Sequence, residues 1–244
     1  MISYIVGYKT TEAEGSYAYT QLCPVFDTVN QANVIRFADL NLENIDRNDT
    51  IQVFGEDGEI KHMLTCKRRG TSGNYEYYWQ LADYSVDPDN PTITDEIDQT
   101  TYTFPRGAGF WFCPKKDSSI TMSGAVNTND VVYATEGGYM YTQAGNPFPV
   151  AKKLAELEFG DIDRNDTIQV FGVDGEIMHM LTCKRRGTSG NYEYYWQLAD
   201  YSVDPDDPAI TDEVNKETYT FPSGSAFWLC LKKAQTITIK GINL

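Results

Sequence analysis

Hydrophobic and polar positions alternate with a period of two along much of this chain, the spacing of a strand with one face covered and the other wet. Thr50-Ile51-Gln52-Val53-Phe54 alternates in this way and runs into Gly55-Glu56-Asp57-Gly58, where Asp-Gly supplies the positive φ of a tight hairpin turn. The returning strand is expected over Glu59 to Lys67. A second turn reads at Arg69 to Asn74, followed by a strand over Tyr75 to Leu81 with large apolar residues at 75, 77, 79 and 81. Beyond an acidic, proline-containing loop at Val86 to Pro91, further strands are expected at Thr101 to Phe104, Gly109 to Cys113 and Ser119 to Met122. Short strands at this spacing predict an antiparallel β-sandwich or barrel-like module. Helical spacing is confined to Pro149 to Leu157, with a looser counterpart at Val29 to Leu40, so at most one short helix per module is expected.

The pattern occurs twice. Ile45 to Lys116 recurs at Ile162 to Lys233 with a constant offset of 117, and up to Asp89 and Asp206 only Glu56/Val173 and Lys61/Met178 differ. The match continues at Ser119-Ile120-Thr121 with Gly124 against Thr236-Ile237-Thr238 with Gly241. Upstream, EGSYAYTQ at 14 to 21 matches EGGYMYTQ at 136 to 143. Two all-β modules are therefore expected, over 1–123 and 124–244, with a seam near Ser123-Gly124. No Pro- or Ser-rich linker separates them, which favours a rigid pair.

Composition narrows the class. The chain of 244 residues carries 17 Tyr, 11 Phe and 4 Trp, side chains that suit a pleated surface. A net charge of −15 argues against nucleic acid and anionic lipid, both of which need a basic footprint. No stretch has the length and apolarity of a membrane span, so no membrane insertion is expected. The start MISYIVGYKT lacks the basic and long apolar regions of a signal peptide, so export would require that a leader had been removed.

Candidate chemistry is sparse. His62 and His179 occupy one repeated position, each beside a methionine on a strand, where packing or solvation is the expected role. No nucleophile-elbow, zincin or phosphate-loop motif is present, so no catalytic residues and no cofactor are expected. Asp161-x-Asp163-x-Asn165 imitates the start of an EF-hand loop. Asp166 then replaces the turn glycine, Gly172 replaces the terminal glutamate, and Asn44 replaces the first Asp in module one, so a capped turn is expected and no metal. The acidic loops Asp87-Pro88-Asp89 and Asp204 to Asp207 read as solvated turns. Cys66 with Cys113, and Cys183 with Cys230, could each form a bridge if their strands are neighbours, or remain buried thiols; Cys23 is left over, with Gly145 in its place in module two.

Two features could make contacts. Lys67-Arg68-Arg69 and Lys184-Arg185-Arg186 are basic clusters at a hairpin end of an acidic chain, suited to head-to-tail self-association with an acidic loop of a neighbour. Tyr75, Tyr77 and Trp79, with Tyr192, Tyr194 and Trp196, share one strand face and would stack on sugars if exposed or form core if buried.

The order Gly138-Tyr139 to Asn146-Pro147-Phe148, then Asp174-Gly175, Pro222 to Trp228 and Thr236 to Gly241 resembles β-rich modules of uncharacterised bacterial surface proteins. The first module departs at Cys23-Pro24-Val25-Phe26, where Asn-Pro-Phe is broken. The resemblance implies export and a cell-surface or matrix location and assigns no activity. The expectation is a non-catalytic extracellular structural protein whose partner is itself, another surface protein or a glycan, the alternative being a carbohydrate-binding module.

Overall fold

A computed structural model describes residues 6–29, 31, 33–55, 58–172 and 175–242. Among the described residues, eleven strands form in each half of the chain. The first half contains β1 (Val6–Ala13), β2 (Thr20–Leu22), β3 (Val34–Arg36), β4 (Leu40–Glu43), β5 (Thr50–Phe54), β6 (Ile60–Thr71), β7 (Asn74–Asp83), β8 (Thr92–Thr94), β9 (Thr103–Pro105), β10 (Phe110–Cys113) and β11 (Ser118–Ala125). The second half contains β12 (Val131–Thr135), β13 (Tyr141–Gly145), β14 (Lys152–Lys153), β15 (Leu157–Phe159), β16 (Thr167–Phe171), β17 (Ile177–Thr188), β18 (Asn191–Asp200), β19 (Ala209–Thr211), β20 (Thr220–Phe221), β21 (Ala226–Cys230) and β22 (Gln235–Ile239).

Strand order in the first half is β1-β11-β4, β2-β10-β5-β6-β7-β8 and β3-β9. In the second half it is β12-β22-β15, β13-β21-β16-β17-β18-β19 and β14-β20. The chain is all-β, and within each half the six- and three-stranded sheets share one core. Ile51, Leu64, Trp79 and Phe110 meet Leu40, Ile120 and Met122 in the first half; Ile168, Leu181, Trp196 and Phe227 meet Leu157, Ile237 and Ile239 in the second. Burying alternate residues from two facing sheets is the main source of stability in such a layer pair.

The meander β5-β6-β7-β8 follows the alternation, but β10 returns to pair with β5, so strand order is not sequence order. Cys113 lies opposite Thr50, and Thr50 opposite Thr65, which puts β5 between the strands carrying Cys66 and Cys113. Two strand spacings amount to about 9.6 Å, beyond the reach of a disulfide. All five cysteines are thiols, and burial pushes Cys66 and Cys183 up to about 12.

Among the described residues each half has a single short helical turn, within the expectation of at most one short helix per module. Pro149 to Leu157 yields β14, a single 3-10 turn at Leu154–Glu156 and the start of β15, and Val29 to Leu40 yields β3 with a 3-10 turn at Phe37–Asp39. Lys152 and Ile35 are held in a strand by cross-strand pairing to Phe221 and Phe104, and that pairing outweighs a short helical pattern. The expected seam at Ser123-Gly124 lies inside β11, which continues to Ala125 opposite Val6, so the connector between the repeats is Val126 to Asp130. The expected Asp57-Gly58 turn, its counterpart at Asp174, and the differing pair Glu56/Val173 involve positions outside the described residues.

Candidate functional site

The β6-β7 and β17-β18 hairpins are long ribbons. β5 pairs with β6 only as far as Thr65, whereas β6 and β7 stay paired to Thr71 and Asn74, so Arg68 to Glu76 project as a two-stranded, exposed arm. The second arm, Arg185 to Glu193, has the same sequence and pairing.

The basic clusters sit on these arms, and the two arginines of each are differently engaged. Arg69 donates from Nε and Nη2 to Glu76 at 2.9 and 2.8 Å and from Nη1 to Glu96 at 2.6 Å; Arg186 does the same with Glu193 and Glu213. These guanidiniums are already neutralised within their own hairpins. Arg68 lies over the Tyr75 ring at 4.2 Å and Arg185 over Tyr192 at 4.3 Å, both exposed cation–π pairs. Lys67 and Lys184 have no ion pair among the described residues.

The aromatic row divides along its length. Trp79 and Trp196 are 2% and 1% exposed and belong to the cores; Tyr77 and Tyr194 are half-buried against them. Only Tyr75 and Tyr192 are exposed, each beneath its arginine. The continuous stacking platform that the alternation allowed is therefore corrected to two tyrosines, because the face carrying residues 77 and 79 turns onto the second sheet.

The EF-hand-like loop is a backbone clamp. Asp166, fully buried, accepts hydrogen bonds from the backbone N–H of Asp163 at 2.7 Å and of Lys232 at 2.8 Å, as Asp49 does from Asp46 and Lys115. Asp163 and Asp161 are paired with Lys232 and Lys233, and Lys232 holds the Asp163 carboxyl below its ordinary range. Among the described residues, no group of three or more His, Cys, Asp and Glu side chains converges on a metal-sized space.

Each histidine joins a small polar relay. His62 Nδ1 lies 2.8 Å from the Tyr102 hydroxyl with Asp83 3.6 Å from Nε2; His179 lies 3.1 Å from Tyr219 with Asp200 at 3.6 Å. Burial raises both tyrosines above their ordinary value. The sequence signal was the common separation of 40 residues between His and Tyr in the two repeats.

The largest feature missed by sequence reasoning is the contact between the halves, which is reciprocal about a pseudo-two-fold axis. Phe54 meets Trp228 with ring centroids 5.0 Å apart, and Phe171 meets Trp111 at 5.8 Å. With their amides oriented by their partners, Gln21 donates to the Ala226 carbonyl at 3.2 Å and Gln143 to the Gly109 carbonyl at 2.9 Å; both amide oxygens accept from Trp111 Nε1. Gly58 faces Tyr141 and Gly175 faces Tyr19, both at positive φ and with room only for hydrogen.

At the centre the reciprocity fails for lack of space. A Cβ on Gly145 would lie 2.4 Å from the Cβ of Cys23, its repeat counterpart, so only one of the two positions can carry a side chain. Burial pushes the Cys23 thiol far above its ordinary value. Around it, Arg106 Nη2 donates to the carbonyls of Asn127 and Pro147 and its guanidinium lies 4.8 Å over the Phe148 ring, while Lys9 donates to the Ser223 carbonyl.

No family model, curated protein or solved structure matches the chain. Among the described residues no helix is long and apolar enough to cross a membrane.

Proposed function

We propose that the chain is a non-catalytic structural or surface protein made of two tandem β-sandwich-like modules, which holds two identical β-ribbon arms in a fixed relation. The observation that carries this reading is the pairing of duplicated, exposed Arg-Tyr ribbons with a tightly packed, reciprocal contact between the halves. A wide aromatic contact with close backbone approaches restricts relative motion, so two weak arm contacts add as avidity wherever both engage together. Export and a cell-surface or matrix setting rest on the resemblance of the module signals to bacterial surface modules.

The partner is a second copy of the chain or another surface protein. Arm contacts run through Arg68-Tyr75 and Arg185-Tyr192 together with Lys67 and Lys184, because Arg69 and Arg186 are held by their own glutamates. The acidic remainder of the molecule supplies the complementary charge. Sedimentation velocity across a concentration series, at low and at high salt, tests self-association: oligomers that dissociate with salt and with Arg68→Ala/Arg185→Ala support it. A chain that stays monomeric in every condition removes self-assembly from the reading.

A further inference from the structure

Each side of the pseudo-two-fold contact carries a groove, and the two grooves differ in chemistry. The first lies over Phe54 with a volume of about 480 Å³ and is lined in part by Lys61 and Arg106. The second is smaller, about 220 Å³, and is walled by Tyr19, Phe171, Met178, His179, Tyr219 and Phe221. Met178 stands where the first half has Lys61, and Ser223 where it has Arg106. Within 45–89 and 162–206 only two positions differ, and the one lying among the described residues falls in these grooves. The repeat thus removes both cations from the second groove and leaves aromatic walls with one polar corner.

That corner has a defined polarity. Asp200 beside His179 Nε2 favours the proton on Nε2, which leaves Nδ1 to accept from the Tyr219 hydroxyl. The Tyr219 oxygen then keeps lone pairs for an incoming donor. A mostly apolar pocket with few convergent polar groups is the usual form of a small-molecule site. We propose that the groove between the halves at Phe171 and Tyr219 binds a small, neutral aromatic molecule bearing one hydroxyl, of the phenol class, with the ring between Tyr19, Phe171 and Met178 and the hydroxyl donating to Tyr219. This site is independent of the arm contacts and of any assembly they make.

Isothermal titration calorimetry of the full chain with p-cresol and with benzoate tests it. The expected result is one p-cresol site per chain, no comparable benzoate binding, and a p-cresol affinity reduced about tenfold or more in Met178→Lys, which puts a charge against the ring. Lysine stands at the same position in the other half, so Met178→Lys keeps a side chain the fold accepts, and a circular dichroism melt checks that it does. Tyr219→Phe, which deletes only the hydroxyl, is expected to weaken p-cresol while sparing toluene, and Lys61→Met to leave p-cresol binding unchanged. No p-cresol binding by the wild-type chain, equal binding by Met178→Lys, or a preference for benzoate would each overturn the proposal.

Discussion

The two halves share a sheet order, yet they build their cores from differently distributed side chains. In the first half Trp79 packs on Phe37 with ring centroids 5.4 Å apart, and Leu42 lies beside the cluster; in the second Trp196 packs on Phe159, also at 5.4 Å, and the position matching Phe37 is Leu154. An aromatic and a leucine have exchanged places across one layer, keeping the total volume against the tryptophan. The exposed arms, by contrast, are identical from Lys67 to Asp89 and from Lys184 to Asp206. A core therefore constrains summed volume where it varies. The identity itself runs from Ile45 to Asp89 with two exceptions and covers the buried Ile51, Leu64 and Trp79 as well as the exposed arms.

The comparison breaks most severely at the buried clamps the halves hold in common. Asp166→Ala and Asp49→Ala each strand two backbone N–H groups, so each is expected to cost about 2–4 kcal/mol in denaturant unfolding. A loss in one half only would show that the clamps are not equivalent. Next comes the axis: Gly145→Ala overpacks against Cys23 and should cost about 1–3 kcal/mol, with part recovered on adding Cys23→Gly. No recovery would mean that the Ser225 carbonyl, 2.8 Å from the added Cβ, sets the limit instead.

The core exchange gives a smaller but sharper test. Phe37→Leu and Leu42→Phe are each expected to cost about 1–2 kcal/mol, and the double variant to lie within about 0.5 kcal/mol of wild type. Additive losses would refute the compensation. The smallest effect is electrostatic. Lys116 holds the Asp46 carboxyl and Lys232 the Asp163 carboxyl below their ordinary range. A depressed folded pKa contributes stability that is present above the unfolded value, near about 4, and is lost as pH falls through the folded one. Carboxyl NMR titration should show both below the ordinary aspartate range, with Lys116→Ala raising Asp46 and Lys232→Ala raising Asp163.

Local pattern anticipated much of the fold because strand alternation and turn chemistry are short-range. The meander from Thr50 to Asp83 and the strands near Phe104, Phe110 and Ser119 lie close to where their residues suggest. Periodicity placed Tyr75, Tyr77 and Trp79 on one face but could not say where along the strand the opposing sheet ends, which is why residue 79 is core and residue 75 is not. The arginine clusters were legible, but the capture of Arg69 by Glu96, 27 residues away, required the chain to turn back across the hairpin. The helical spacing at Pro149 to Leu157 narrows to one 3-10 turn at Leu154–Glu156, because the flanking residues pair as β14 and β15.

The sequence by itself determined the duplication, the β class and the absence of a familiar catalytic motif, since identity at fixed offset and residue periodicity are properties of the chain alone. Only the tertiary structure decided that β5 separates the cysteines, that Trp79 and Trp196 are core, and that the halves meet reciprocally around Cys23 and Gly145. Those facts depend on which distant backbones share a few ångströms of space. A Gly against a Cys is an unremarkable substitution until the fold brings the pair to one contact, and a Met against a Lys until it sets each in the wall of a groove.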